Sequence, residues 1–274
     1  MRPLSLDHLT VIEATPLELI DAAAAAGFDA VGMRIVTPLA AKDVFPVVGE
    51  PTVQRDIKAR LAATGIKVGL IESIWLGPEA DPKTLAPAME TGAALGARFA
   101  LVAGNDPDEA RLTDNLGKLA GIAGQHKLDI IFEFMPFTQV RSLDQALRIR
   151  KKVAAPNLRL LVDALHVSRS GADMTALPKF DVATVGYVHL CDAPAKLPPP
   201  DGLRDEARLG RLYPGDGELP LDAFLDAMPA DAALGLEAPC RAFAHLPPLE
   251  RAKAAGHAAR AWLKRHDERM RATP

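Results

Sequence analysis

The sequence predicts an α/β fold, a single (β/α)8 barrel of the TIM type spanning residues 1–274 as one domain. Three observations carry that expectation. Short apolar runs alternate with amphipathic, alanine-rich segments, as parallel strands joined by crossover helices require. The 274 residues suit one such barrel, for which about 250 is typical. The first turn lacks the G-x-G-x-x-G fingerprint that an open dinucleotide-binding sheet would want. An open, doubly wound sheet is the structural alternative.

Taken in order, Leu4 to Val11 reads as the first strand. Thr15-Pro16-Leu17-Glu18 opens a helix, with Thr15 as cap, Pro16 in the first turn and Glu18 bonding back as in a capping box. Gly27 ends that helix in a left-handed turn, and Ala30 to Val36 is the second strand. A helix from Thr52 to Thr64 stops at Gly65, and Lys67 to Ser73 is the third strand. Asp81-Pro82 begins the next helix, Gly96 ends it, and Ala97 to Ala103 is the fourth strand. Asp108 to Lys127 is helical, followed by Leu128 to Phe134 as the fifth strand. Ser142 to Val153 is helical and Leu158 to Asp163 the sixth strand. Val185 to Cys191 is the seventh, and a proline-rich loop, Ala193 to Pro200, follows it where barrels place substrate contacts. A helix around Leu221 to Met228 leads to the eighth strand, Leu234 to Glu237, and Pro248 to Arg265 closes the series as a helix.

Composition narrows the function. Hydrophobic residues make up 49% and charged residues 24%, ordinary for a soluble globular protein. A net charge of −3 with no Lys/Arg-rich block offers no footprint for nucleic acid. No run approaches the roughly 18 apolar residues of a membrane span, and residues 1–8 lack the apolar stretch of a signal peptide. Two cysteines, Cys191 and Cys240, are too few for a disulfide framework and read as buried fillers. The expectation is a cytoplasmic protein that meets a small-molecule substrate, without nucleic acid or membrane. A homo-oligomer is compatible with all of this.

In such a barrel the chemistry sits at the carboxyl ends of the strands. Those positions hold Glu133, Asp163, His189 and Glu237 on the fifth to eighth strands. One glutamate ending a strand is more often a helix cap or an ion-pair partner than a ligand. Four ligand-type residues at matching positions are harder to explain that way, and three clustered carboxylates would repel one another without a cation. Three oxygens and one nitrogen suit a hard or borderline divalent ion, Mn2+ first, with Mg2+, Co2+ or Zn2+ as alternatives.

Around them, Arg34 ends the second strand and either binds a substrate group or pairs with Glu72 on the third. Arg208 either folds over the site or lies on solvated surface. Trp75 and Phe137 wall the pocket or simply pack, and Met135 belongs with them. With Arg34 and Arg208, Glu72 and Trp75 complete the candidate substrate-binding set. His8 reads as a satisfied core histidine rather than one pointing into the mouth. His126, His245, His257 and His266 read as surface.

The elements Phe132-Glu133-Phe134, Asp163-Ala164-Leu165-His166, Val188-His189-Leu190-Cys191-Asp192 and Gly235-Leu236-Glu237 resemble the xylose-isomerase-like barrel superfamily of sugar phosphate isomerases and epimerases. Pro214-Gly215-Asp216-Gly217-Glu218 is similar to its PGxG loop, and the likeness covers nearly the whole chain. It implies that Glu133 and Glu237 are both metal ligands and the acid/base pair, with Asp163 and His189 completing the metal shell. His166 would bond a substrate oxygen or a ligating carboxylate. The function so implied is a divalent-metal-dependent isomerase or epimerase working on a ketose, keto-acid or related polyol through an enediolate. A dehydratase of the 3-dehydroshikimate type uses the same shell for elimination. A noncatalytic sugar-binding barrel is the reading from another class. The endonuclease IV group needs a larger His-rich site and a basic surface, which the sequence lacks.

Overall fold

A computed structural model describes residues 2–37 and 44–272. The strands are β1 Ser5–Asp7, β2 Ala30–Arg34, β3 Lys67–Leu76, β4 Phe99–Gly104, β5 Asp129–Glu133, β6 Leu158–Asp163, β7 Val185–Leu190 and β8 Ala233–Leu236. All pair in parallel, each with its neighbour in sequence, and β8 closes on β1 through Ser5 opposite Gly235. This is the (β/α)8 barrel that the alternating pattern predicts. The helices are α1 Pro16–Ala25, α2 Pro51–Thr64, α3 Ala86–Ala94, α4 Glu109–Gln125, α5 Leu143–Val153, α6 Ala164–Arg169, α7 Leu203–Leu209, α8 Leu221–Ala227 and α9 Pro248–Ala272. No helix among the described residues is long and apolar enough to cross a membrane.

Local chemistry sets the helix ends. Thr15 and Glu18 form the reciprocal capping box of α1, and Asp108 and Ser142 cap α4 and α5. Gly65 ends α2 at φ 76°, a left-handed conformation that costs a residue without a Cβ little.

The two-residue period of each strand sorts its side chains into two cores. Leu70, Phe99, Leu101, Ile131, Leu161 and Tyr187 pack as one cluster. They share parity with Glu72, Glu133, Asp163 and His189, so this cluster fills the barrel interior below the polar end. The alternate residues, such as Leu6, Phe132, Val162, Val188 and Leu236, join the larger core between strands and helices.

Several expectations need correction. The first strand stops at Asp7, and His8–Val11 is a 3-10 turn, because the backbone N–H of His8 turns to Glu72 Oε1 (3.0 Å). The third strand continues to Leu76, and the Asp81-Pro82 helix begins as a 3-10 turn, Pro82–Leu85, before α3. Ala193 to Pro199 is a loop, as expected; a 3-10 turn at Pro200–Gly202 and then α7 follow it, where the sequence pattern predicts no helix. His266 is buried, not on the surface. Its ring stacks on Trp262, and its Nδ1 lies 2.7 Å from Asp222 Oδ1.

Candidate functional site

The carboxyl ends of the strands open into a cavity of about 280 Å3, near the lower end of the range for small-molecule sites. Its floor carries Glu72, Glu133, Glu237 and His166, and Trp75, Met135 and Phe137 supply an apolar wall. Arg204, Ala207, Arg208 and Arg211 line it from the α7 side, and Arg34 from β2. Asp163 and His189 are fully buried and lie behind the floor.

Four residues at the ends of β5 to β8 converge. From His189 Nδ1, Asp163 Oδ2 is 3.4 Å away, Glu237 Oε2 3.6 Å and Glu133 Oε1 3.7 Å. These gaps are long for hydrogen bonds. They match the edges of a tetrahedron around a cation whose bonds are about 2.1 Å, roughly 3.4 Å. Among the described residues, His189 Nδ1 and Glu133 Oε1 are buried without a hydrogen-bond partner, a state that buried polar atoms rarely keep. Charge points the same way. Asp7, Glu72, Glu133, Asp163 and Glu237 are buried together against the guanidinium groups of Arg34 and Arg211. Their negative excess suits a divalent cation, so the donor set fits the expected metal.

The environment tunes each group. Burial pushes the Glu133 carboxyl up to about 7, against the pull of His189. Burial likewise lifts Glu72 to about 7, with Arg34 opposing. Asp163 also suffers burial, but Arg211, then His166 and His189, outweigh it and hold its carboxyl well below the usual range. Burial lowers His166 to about 3, which keeps its imidazole neutral. Its Nε2 lies 3.9 Å from Glu133 Oε1, beyond hydrogen-bond reach, and its ring meets Phe137 edge-on.

Two residues central to this geometry escape sequence reasoning. Arg211, 1% exposed, donates through Nη1 to Asp163 Oδ2 (2.6 Å) and to the Glu237 carbonyl (3.0 Å). Its Nη2 is 2.8 Å from Glu237 Oε2. The arginine reaching the carboxylates is therefore Arg211, whereas Arg208 lines the cavity further out. The signal was position: Arg211 stands three residues before Pro214, in the short bridged segment that returns to the barrel between β7 and β8.

Asp7 is the second. Its Oδ2 sits 2.9 Å from His189 Nε2, an ion-pair approach without hydrogen-bond alignment. Ser5 Oγ and Tyr187 OH both donate to its Oδ1, at 2.7 and 3.0 Å. Gly32 and Gly235 on the flanking strands leave room for this carboxylate, which a Cβ at either position would strike. Taking the first strand to Val11 hid the point at which it ends.

The remaining candidates also find places. Arg34 lines the cavity, and among the described residues its guanidinium holds only a 3.7 Å contact to Glu72. Trp75 donates through Nε1 to Ser73 Oγ (3.0 Å) and faces the cavity. His8 is satisfied internally, with Nε2 at Ala14 O (2.8 Å) and Nδ1 accepting from Arg34 N (3.1 Å). Cys191 and Cys240 are buried and free, and Cys191 Sγ lies 3.5 Å from Arg211 Nη1. Asp192, at the end of the H-x-x-D element, ties down the P-G-D-G-E loop: its carboxylate accepts from Gly215 N, Gly217 N and Leu219 N at 2.9 to 3.1 Å.

Known proteins share both fold and sequence with this chain. An inosose isomerase of Bacillus subtilis (strain 168) is 31% identical over 117 residues, a match spanning 42% of this chain but only 40% of that protein. The crystal structure of IOLI protein with a binding zinc atom superposes with a TM-score of 0.77 over 96% of this chain and 99% of that one, at 21% identity. The probable 3-DHS dehydratase AsbF from Bacillus anthracis gives 0.68 over 94% and 98%, at 16% identity. At these identities the two structures speak to the fold alone. The xylose isomerase-like TIM barrel family matches residues 20–266, and by that match over almost the entire barrel the chain belongs to this family.

Proposed function

We propose that the protein is a divalent-metal-dependent isomerase or epimerase acting on a ketose, a keto acid or a related polyol, with Mn2+ the favoured cation. One observation carries the reading: Glu133 and Glu237 face the cavity from β5 and from the end of β8, while Asp163 and His189 stay buried behind them. Two carboxylates can then meet one substrate while all four residues share one cation.

Glu133, Asp163, His189 and Glu237 would hold the divalent cation, which when bound would supply Lewis acidity that eases loss of a proton beside a substrate carbonyl. The chain's own residues do the rest. One of Glu133 and Glu237 takes the proton from the hydroxyl-bearing carbon, and the other returns one. Return to the former carbonyl carbon, with the hydroxyl proton passing to the former carbonyl oxygen, isomerises the substrate, and return to the opposite face of the same carbon epimerises it. Arg211 fixes Glu237 from behind, and neutral His166 is placed to hydrogen-bond a substrate hydroxyl. Trp75, Met135 and Phe137 offer an apolar wall against which the substrate's carbons can pack. The partial similarity to an inosose isomerase supports this class of reaction.

The rival is a dehydratase with the same four residues, favoured by an apolar wall that suits a ring. Turnover in D2O separates the two. For an isomerase or epimerase, the product gains deuterium at carbon and keeps its mass otherwise. Dehydration of 3-dehydroshikimate to a lighter, ultraviolet-absorbing conjugated acid, with every ketose and keto acid inert, would overturn the proposal. Binding without turnover of any of them would leave a noncatalytic sugar-binding barrel.

A further inference from the structure

One face of α7 forms part of the cavity wall. Arg204, Ala207 and Arg208 of α7 follow the i, i+3, i+4 spacing of one stripe, and they line the cavity together with Arg211 of the bridged segment just beyond the helix. Their charges meet different fates. Arg211, the deepest, is consumed by Asp163 and Glu237. Arg204 and Arg208 have no hydrogen bond or ion pair among the described residues.

The helix does not lack acids to offer them; those acids are engaged elsewhere. Glu206 takes both Nε and Nη2 of Arg169, at 2.8 and 2.7 Å, and Asp205 pairs with Arg241 at 2.5 Å. Arg34, the other cavity arginine, is already opposed by Glu72. The cavity is therefore polarised, with a carboxylate floor and two uncompensated guanidinium groups toward the mouth. Four residues of helix set the Cα atoms of Arg204 and Arg208 about 6 Å apart along the axis, and arginine forks of this kind grip carboxylate and phosphate oxygens bidentately.

We propose that the substrate carries an anionic group, a carboxylate or a phosphate, seated by Arg204 and Arg208 while its carbonyl end meets Glu133 and Glu237. This rests on the isomerase reading only for which end reacts. It makes the substrate a small sugar acid or sugar phosphate rather than a neutral polyol.

The test separates the two readings. The metal-loaded protein, its Arg204→Gln/Arg208→Gln variant and a charge-matched control on α2, Arg55→Gln/Lys58→Gln, are titrated calorimetrically with glycerate, inorganic phosphate and neutral glycerol. The expected result is salt-sensitive binding of glycerate or phosphate that falls about tenfold or more in the Arg204/Arg208 variant only, with no comparable effect on glycerol. Whichever anion binds better identifies the group. Turnover of paired neutral sugars, sugar acids and sugar phosphates is followed in parallel. Anion binding that depends on both arginines upholds the inference even if nothing is isomerised. Equal anion affinity in all three proteins would overturn it, as would isomerisation of neutral ketoses in preference to their acids and phosphates, which leaves the isomerase reading intact.

Discussion

Asp7 sits beside the nitrogen of His189 that faces away from the site. Against the cost of burial, Glu237, Asp163, Asp7 and Glu133 raise the His189 pKa well above its ordinary value. A cation bound in their midst would displace the Nδ1 proton, while the Asp7 carboxylate beside Nε2 would keep the other proton in place. Asp7→Asn keeps the shape, and its amide oxygen can still accept from Ser5 and Tyr187. Its NH2 would then face Nε2, making that nitrogen an acceptor and moving the ring proton to Nδ1. The expected outcome is a folded protein whose Mn2+ affinity falls about 10- to 100-fold in a metal titration. Unchanged affinity would show that Asp7 does not set the tautomer. Of the residues at this scale, Glu133, Asp163, His189 and Glu237 could be read from strand-end position alone. Asp7 and Arg211 could not, because each acts through a partner far away in sequence that only the folded barrel brings within 3 Å.

At the scale of elements, α7 is the piece the sequence concealed. Its seven residues follow the proline-rich loop and are too few to show a clear hydrophobic period. Side-chain anchors hold it: Arg169, at the end of α6, grips Glu206 and the Pro194 carbonyl, and Arg211 Nε bonds the Ala207 carbonyl at 2.8 Å. The longer elements were legible because their caps, glycine stops and alternation are local signals, as the capping box of Thr15 and Glu18 illustrates. Glu206→Gln should break the two-pronged ion pair and leave a nearly buried guanidinium half satisfied. Backbone amides of residues 203–209 should then exchange with deuterium about tenfold faster by mass spectrometry, while those of β5 to β8 keep their rates. Exchange unchanged in α7 would mean that the Arg169 clamp does not hold the wall.

Over the whole molecule, a carboxylate-rich centre is a liability that protons or a cation must relieve. Glu72 gives the sign. Its folded pKa, about 7, lies above its ordinary 4.5, so the folded form holds a proton that the unfolded chain has already released. The contribution is complete below about pH 4.5 and is lost as pH rises toward 7, so the metal-free protein should lose stability over that window through this group. Glu72→Gln retains the acceptor for His8 N, removes the titration and should flatten that part of the profile. Cation binding acts in the opposite direction. An ion at 100 times its dissociation constant adds about 2.7 kcal/mol when the unfolded chain does not bind it. At about 2–4 °C per kcal/mol for a chain of 150–250 residues, that corresponds to a rise of roughly 5–10 °C in Tm. The shift should appear when Mn2+ is added to chelator-treated protein at pH 7 and disappear in His189→Gln. Asp163→Ala is a poorer probe, because Asp163 also neutralises Arg211 and caps α6 through the amides of Leu165 and His166. Removing it would strand a buried guanidinium and cost stability whether or not metal binds. An equal Tm with and without Mn2+, in a protein shown to be metal-free at the start, would exclude Glu133, Asp163, His189 and Glu237 as a cation site.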